Sequence, residues 1–265
     1  MNGDKKMKKF WSILLVLVMV ISLIACKGQP SNSQGENQGE ETGEEVGGEE
    51  NPGVSHSTLY LEGVDVEDVI RYFNEVALDT EYATGEGNAS LIQKWGEKIT
   101  YRFLGDPTEE DKIVLKELFE QLNQISGFPG IEEAAVGQVP SLQFYFQDRV
   151  DFMANFGDFI GYEEADGAAQ YWYYTATNVI YTGRIGYRTD IGQELRNSVL
   201  LEEVVNLLGF NDTVVREDSI VYQYSSEAQE LSKMDWLLLK LMYHADMKPG
   251  MNAEACEQVI RTLYY

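Results

Sequence analysis

The sequence predicts an α+β domain over residues 57 to 265, with a small mixed sheet and three or more helices. Three observations lead there. Apolar residues recur at helical spacing in several windows, other windows alternate with period two, and residues 27 to 56 carry almost nothing that could be buried. The 265-residue chain is 44% apolar and 12% aromatic, enough to build a sizeable core.

The opening segment is read apart from the fold. Lys5, Lys6, Lys8 and Lys9 precede an uncharged apolar run from Phe10 to Ala25, too short to span a bilayer comfortably, so residues 1 to 26 read as a secretory signal. The run closes on Leu23-Ile24-Ala25-Cys26, which resembles the lipobox of bacterial lipoproteins. That resemblance implies a diacylglyceryl group on Cys26, palmitate or a similar acyl chain on the new N-terminus, and a mature protein anchored to the outer face of a membrane. Residues 27 to 56 follow as an acidic disordered tether in which Glu36, Glu40, Glu41, Glu44, Glu45, Glu49 and Glu50 keep the chain extended.

Within the domain, Val66, Val69, Ile70, Phe73 and Ala77 mark a first amphipathic helix. Ile99, Tyr101 and Phe103 alternate with polar neighbours as a half-buried strand. Asp106 is the expected cap of a second helix, with Pro107 at its first position and Val114, Leu115, Leu118, Phe119, Leu122 and Ile125 on its apolar face. Gly127 to Gly130 ends it. Leu142 to Phe146 and Asn178 to Tyr187 read as further strands, the first a candidate sheet edge, and the last third reads as helical.

Composition excludes several function classes. Twenty basic against 44 acidic residues, a formal charge of -24, argues against nucleic-acid binding, because Lys and Arg must replace phosphate counterions. Two cysteines rule out a disulfide scaffold. The two histidines, His56 and His244, lie far apart in the chain, so no three-histidine zinc site can be built.

The stretch Ser198 to Asp212 carries the most information. At 100° per residue Leu200, Leu201, Val204, Val205, Leu207 and Leu208 cover one broad arc of a helix, while Glu202, Glu203 and Asn206 share the rest. Gly209 supplies the left-handed position that ends it, and Asp212 lies just past the turn. A solvated acidic face gives the same pattern. The stretch also resembles, position by position, the H-E-x-x-H-x-x-G-x-x-H (or final D) frame of metzincin metalloproteases. Asp218 to Ser225 is similar to the segment of that clan that carries the Met-turn. Leu231-Ser232-Lys233-Met234-Asp235 through Tyr243 is similar to the opening of its C-terminal helix. A closer resemblance is to an uncharacterised bacterial family of domains of unknown function with a metzincin-like core, on Glu202-Glu203, Asn206, Gly209, Asn211-Asp212, Ser219-Ile220, Asp235, Tyr243 and Pro249-Gly250-Met251.

The resemblance implies a degenerate protease site. Glu202 and Asn206 stand at the first two zinc-ligand positions, Asp212 at the third, Glu203 at the general base, Gly209 at the turn glycine and Val221 at the Met-turn methionine. Amide oxygen is a poor zinc donor and carboxylate oxygens suit harder ions such as calcium or magnesium, so no metal is expected, with zinc or calcium as the alternative. The expected function is a membrane-anchored, extracytoplasmic, noncatalytic binding or scaffold module for an envelope protein or an extended peptide. Its alternatives are an active metallopeptidase with Glu203 as its base, and a solute-binding lipoprotein, for which the chain is short. Other features have blander readings. Glu202 beside Glu203 is not a glycosidase pair, since adjacent helix positions diverge by about 100°. Tyr171 to Tyr174 reads as a strand with one buried face or an aromatic platform, His244 as a helix C-terminal partner, and Cys256 as core.

Overall fold

Alternating burial builds the sheet. In β4 (Leu142–Gln147) Leu142, Phe144 and Phe146 are buried while the residues between them are half-exposed, and β2 (Ile99–Gly105) begins in the same way. The computed structural model describes residues 59–78, 90–160 and 165–264, and over these it is a mixed α/β structure with six helices and a mostly parallel six-strand sheet. The expected secretory signal, Cys26, the acidic tether and His56 lie outside the described residues.

The remaining strands are β1 (Lys94–Trp95), β3 (Ile131–Glu133), β5 (Gly167–Tyr174) and β6 (Val179–Arg188). Their order is β1-β6-β4-β2-β3, all parallel, and β5 joins the other side of β6 antiparallel. The Leu142 to Phe146 strand expected at an edge therefore lies inside the sheet, hydrogen-bonded to β2 and β6. Alternation shows that one face is polar; it does not show how many neighbours a strand has. β5, paired with β6 alone among the described strands, is an edge.

Helices cover both faces. On one lie α2 (Glu109–Leu122) and α4 (Gln193–Leu207), over Tyr101, Phe144, Ile185 and Tyr187. On the other, α3 (Arg149–Ile160) drops Phe152 and Phe156 onto Gly186, where a Cβ would meet the Phe156 ring at 2.5 Å. A parallel sheet with helices on two sides is more layered than the α+β arrangement expected, because the crossovers β2-α2-β3 and β4-α3-β5 alternate strand and helix.

The cap of α2 is Thr108, not Asp106. Thr108 Oγ1 accepts from Asp111 N at 3.1 Å and the Asp111 carboxylate accepts from Thr108 N at 2.7 Å, a reciprocal capping box that Pro107 merely precedes. Asp111, fully buried, also accepts from Arg196 Nε and Gln193 Nε2 of α4 at 2.8 and 2.7 Å, which fixes α4 against α2. Ile125 is buried beyond the helix rather than on it. The last third is only partly helical: α5 (Lys233–Tyr243) and α6 (Ala253–Tyr264) form, but 208–232 are turns. First and last helices meet. α1 (Val66–Leu78) packs on α6 and α5, Tyr264 OH donates to the carbonyls of Leu61 and Val64 at 3.1 and 2.9 Å, and Arg261 pairs with Glu67.

Candidate functional site

The polar arc of α4 does not face water. Glu202 is 3% exposed and Glu203 5%; β5 packs on α4 and comes closest at Glu203. A Cβ at Gly167 would stand 2.7 Å from Glu203 Oε1 and 2.5 Å from Val199, so only glycine lets the strand approach this closely. Burial, reinforced by the negative charge of nearby Asp212, pushes the Glu203 carboxyl well above its usual range, and the Ala169 backbone hydrogen bond offsets part of this. The shift favours the protonated form of Glu203 between β5 and α4. Glu202 instead accepts from Ser226 Oγ at 3.0 Å. The Tyr187 hydroxyl donates to Leu200 O at 3.0 Å, and burial above all raises its pKa.

The end of α4 is fixed by side chains from elsewhere. Trp95 Nε1 donates to Leu207 O and Tyr243 OH to Leu208 O, both at 3.0 Å, satisfying carbonyls the helix leaves open. Gly209 follows at φ 103°, and a Cβ there would sit 2.1 Å from Gln93 O, so both backbone conformation and space require glycine. Next to it Lys94 donates to Met242 O and Met247 O at 2.8 and 2.6 Å, and burial pushes its amine down to about 8.

Past Gly209 the chain bends back as expected and brings Asp212 to α4, where Asn206 Nδ2 donates to Asp212 Oδ1 at 3.1 Å. That bond fixes the amide orientation, since a carboxylate needs a donor, and leaves Asn206 Oδ1 buried with no hydrogen-bond partner. The loop is clamped from two sides. Asn211 N donates to Val76 O at 2.6 Å, and the Glu75 carboxylate of α1 accepts from Thr213 Oγ1 and Val214 N at 2.7 and 3.0 Å. From below, Val221 is buried and its carbonyl accepts from Thr213 N at 2.9 Å.

Asp235 holds that lower turn. Its Oδ1 accepts from Arg216 Nη1 and Ser219 Oγ at 3.0 and 2.6 Å, and its Oδ2 accepts from Ile220 N and Ser232 N at 3.0 and 2.9 Å. Its role beneath the site was not evident from the sequence, although Ser232-x-x-Asp235 is a capping box spelled out in the chain. Gly167, Ser226 and Glu75 were also missed. None of these leaves a mark in the sequence: on the α1 wheel Glu75 lies opposite Val66, Ile70, Phe73 and Ala77, beside Asp68 and Arg71. His244 is the C-cap residue of α5 and Cys256 is buried and free, both as expected.

A metzincin-like site would hold zinc, and these residues do not fit it. At the three ligand positions stand a Glu202 carboxylate that accepts from Ser226, and Asn206 and Asp212, which are hydrogen-bonded to each other through the Asn206 amide nitrogen. Among the described residues no three His, Cys, Asp or Glu side chains converge as a metal set. What the end of α4 offers is a buried, unsatisfied side-chain carbonyl at Asn206, on the helix that also packs against the edge strand β5. Residues 66–262 match a family described as a protein of unknown function, DUF2927. No curated protein matches the chain.

Proposed function

The chain belongs to the DUF2927 family, and from that premise we propose that it is a lipid-anchored extracytoplasmic module whose degenerate metzincin-like domain binds an extended peptide and does not hydrolyse it. The observation that carries this reading is the Asn206 side-chain carbonyl near the end of α4, buried and lacking a donor. A buried acceptor left open costs about 1–3 kcal/mol, and a peptide N–H laid along β5 satisfies it. The antiparallel edge strand over α4, the loop bearing Asp212 and the buried turn at Val221 support the metzincin-like comparison. Neutral Glu203 is poorly suited to take a proton from water.

A peptide display library panned on the full chain is expected to yield extended sequences whose affinity falls about tenfold in Asn206→Leu, the loss of one buried hydrogen bond. Stoichiometric zinc together with peptide cleavage that Glu203→Ala abolishes would overturn the noncatalytic reading. Among the described residues no helix is long and apolar enough to cross a membrane. The anchor proposed here is the lipobox-like Cys26, and Cys26→Ser is expected to release the protein from membranes; retention in the membrane fraction would refute that.

A further inference from the structure

The sheet face shared with α3 is only partly covered. Beyond the end that α3 occupies, Arg102 of β2, Gln143 of β4, Arg184 of β6 and Gln170 of β5 stand in one row. Their register runs Arg102 to Gln143, Gln143 to Arg184 and Arg184 to Gln170. All four are half-exposed, and Gln143 and Arg184 are each flanked by buried residues of the opposite face. The two guanidinium-bearing strands are two places apart, about 10 Å.

These arginines differ from most of the others. Arg71, Arg188, Arg196, Arg216 and Arg261 each contact a carboxylate. Arg102 and Arg184 form no ion pair among the described residues, in a chain with 44 acidic residues. Arg102 donates to the carbonyls of Ala135 and Gln138, and Arg184 to the Gln170 amide. Two cations left without acids, side by side on one open face of an acidic protein, call for an anion from outside.

Aromatic rings border the row. Arg184 lies between Phe156, at 4.6 Å, and Trp172, at 5.9 Å. Beyond Trp172, Tyr174 and Tyr181 stack at 4.4 Å and are 56% and 42% exposed. Register explains the exposure: the β5–β6 pairing slips between Trp172 and Tyr173, so Tyr181 has no partner across the ladder and turns out to join Tyr174. Flat rings beside amides and guanidinium groups match a polymer of sugar rings carrying carboxylates. The rings take the C–H faces, and the row takes hydroxyls and charge.

We propose that this face binds an anionic polysaccharide, with carboxylates on Arg102 and Arg184 and sugar rings against Trp172 and the Tyr174–Tyr181 stack. The site is separate from the cleft over α4 and does not depend on it. Affinity electrophoresis of the full chain through gels containing polygalacturonate, dextran or polyglutamate tests it, alongside sedimentation with vesicles containing phosphatidylglycerol. Strong retardation by polygalacturonate alone is expected. Arg102→Gln and Arg184→Gln are each expected to weaken it about tenfold, with Arg184→Lys retaining more than Arg184→Gln. Trp172→Ala is expected to weaken binding without changing its salt dependence. Equal retention by polyglutamate or vesicles, no retention by polygalacturonate, or unchanged retention in Arg102→Gln, which leaves the Arg184 stacking intact, would each overturn the assignment.

Discussion

At Glu203 a charged residue type has been put to an uncharged use. Burial and the neighbouring Asp212 raise its pKa well above 4.5, so the folded state keeps a proton that the unfolded chain releases. For an acid shifted upward, stability is greatest below 4.5 and declines as pH rises from there toward the folded pKa. Glu203→Gln copies the neutral carboxyl and removes this titration. It is expected to match the native protein in stability near pH 4 and to exceed it increasingly up to pH 7, read from denaturant midpoints. A native protein as stable as the variant at pH 7 would mean that Glu203 is ionised. The sequence placed this residue correctly and mistook its surroundings. The apolar arc of α4 is visible in the spacing of Leu200, Val204 and Leu207, but the burial of Glu203 comes with the close approach of Gly167, distant in the chain. No local pattern predicts which glycine lets a strand come down on a helix.

Helices and strands were legible where they carry their own signal. α1 and the start of α4's apolar face follow from periodicity, and Gly209 ended α4 as a positive-φ residue must. The cap of α2 was misplaced because Asp106-Pro107 and Thr108-x-x-Asp111 are both start signals, and the reciprocal box prevails since it satisfies two backbone groups at once. The position of β4 inside the sheet was not legible, because pairing partners are chosen by chain crossovers rather than by the strand's own residues. The element most sensitive to a single change is the turn that Asp235 holds. Asp235→Ala leaves the Arg216 guanidinium, 5% exposed as a residue, without its buried carboxylate and frees Ser219 and Ile220. A loss of about 3–5 kcal/mol is expected. The Asp212 loop should loosen with it, since Val221 O anchors Thr213, and amide exchange at Thr213 reports that. Slow exchange at Thr213 in a destabilised Asp235→Ala protein would separate the turn from the loop.

Across the whole molecule, one side of the sheet is closed by α2 and α4 and the other only partly by α3. The candidate cleft and the open arginine row thus occupy different faces, and a variant on one is expected to leave binding at the other unchanged. The contact between α1 and α6 reaches further than packing. The apolar side of α1, with Val69 and Phe73 fully buried, is covered partly by Cys256, Ile260 and Tyr264 near the end of the chain. A chain cut after Asn252 is expected to lose its cooperative unfolding transition; a sharp transition in that truncation would show that the fold closes without its last helix. A polypeptide emerging from a ribosome or threading a translocation pore therefore cannot complete this domain until α6 has passed. Such a chain stays pliable for the whole passage and locks only on the far side, which suits the export proposed for it.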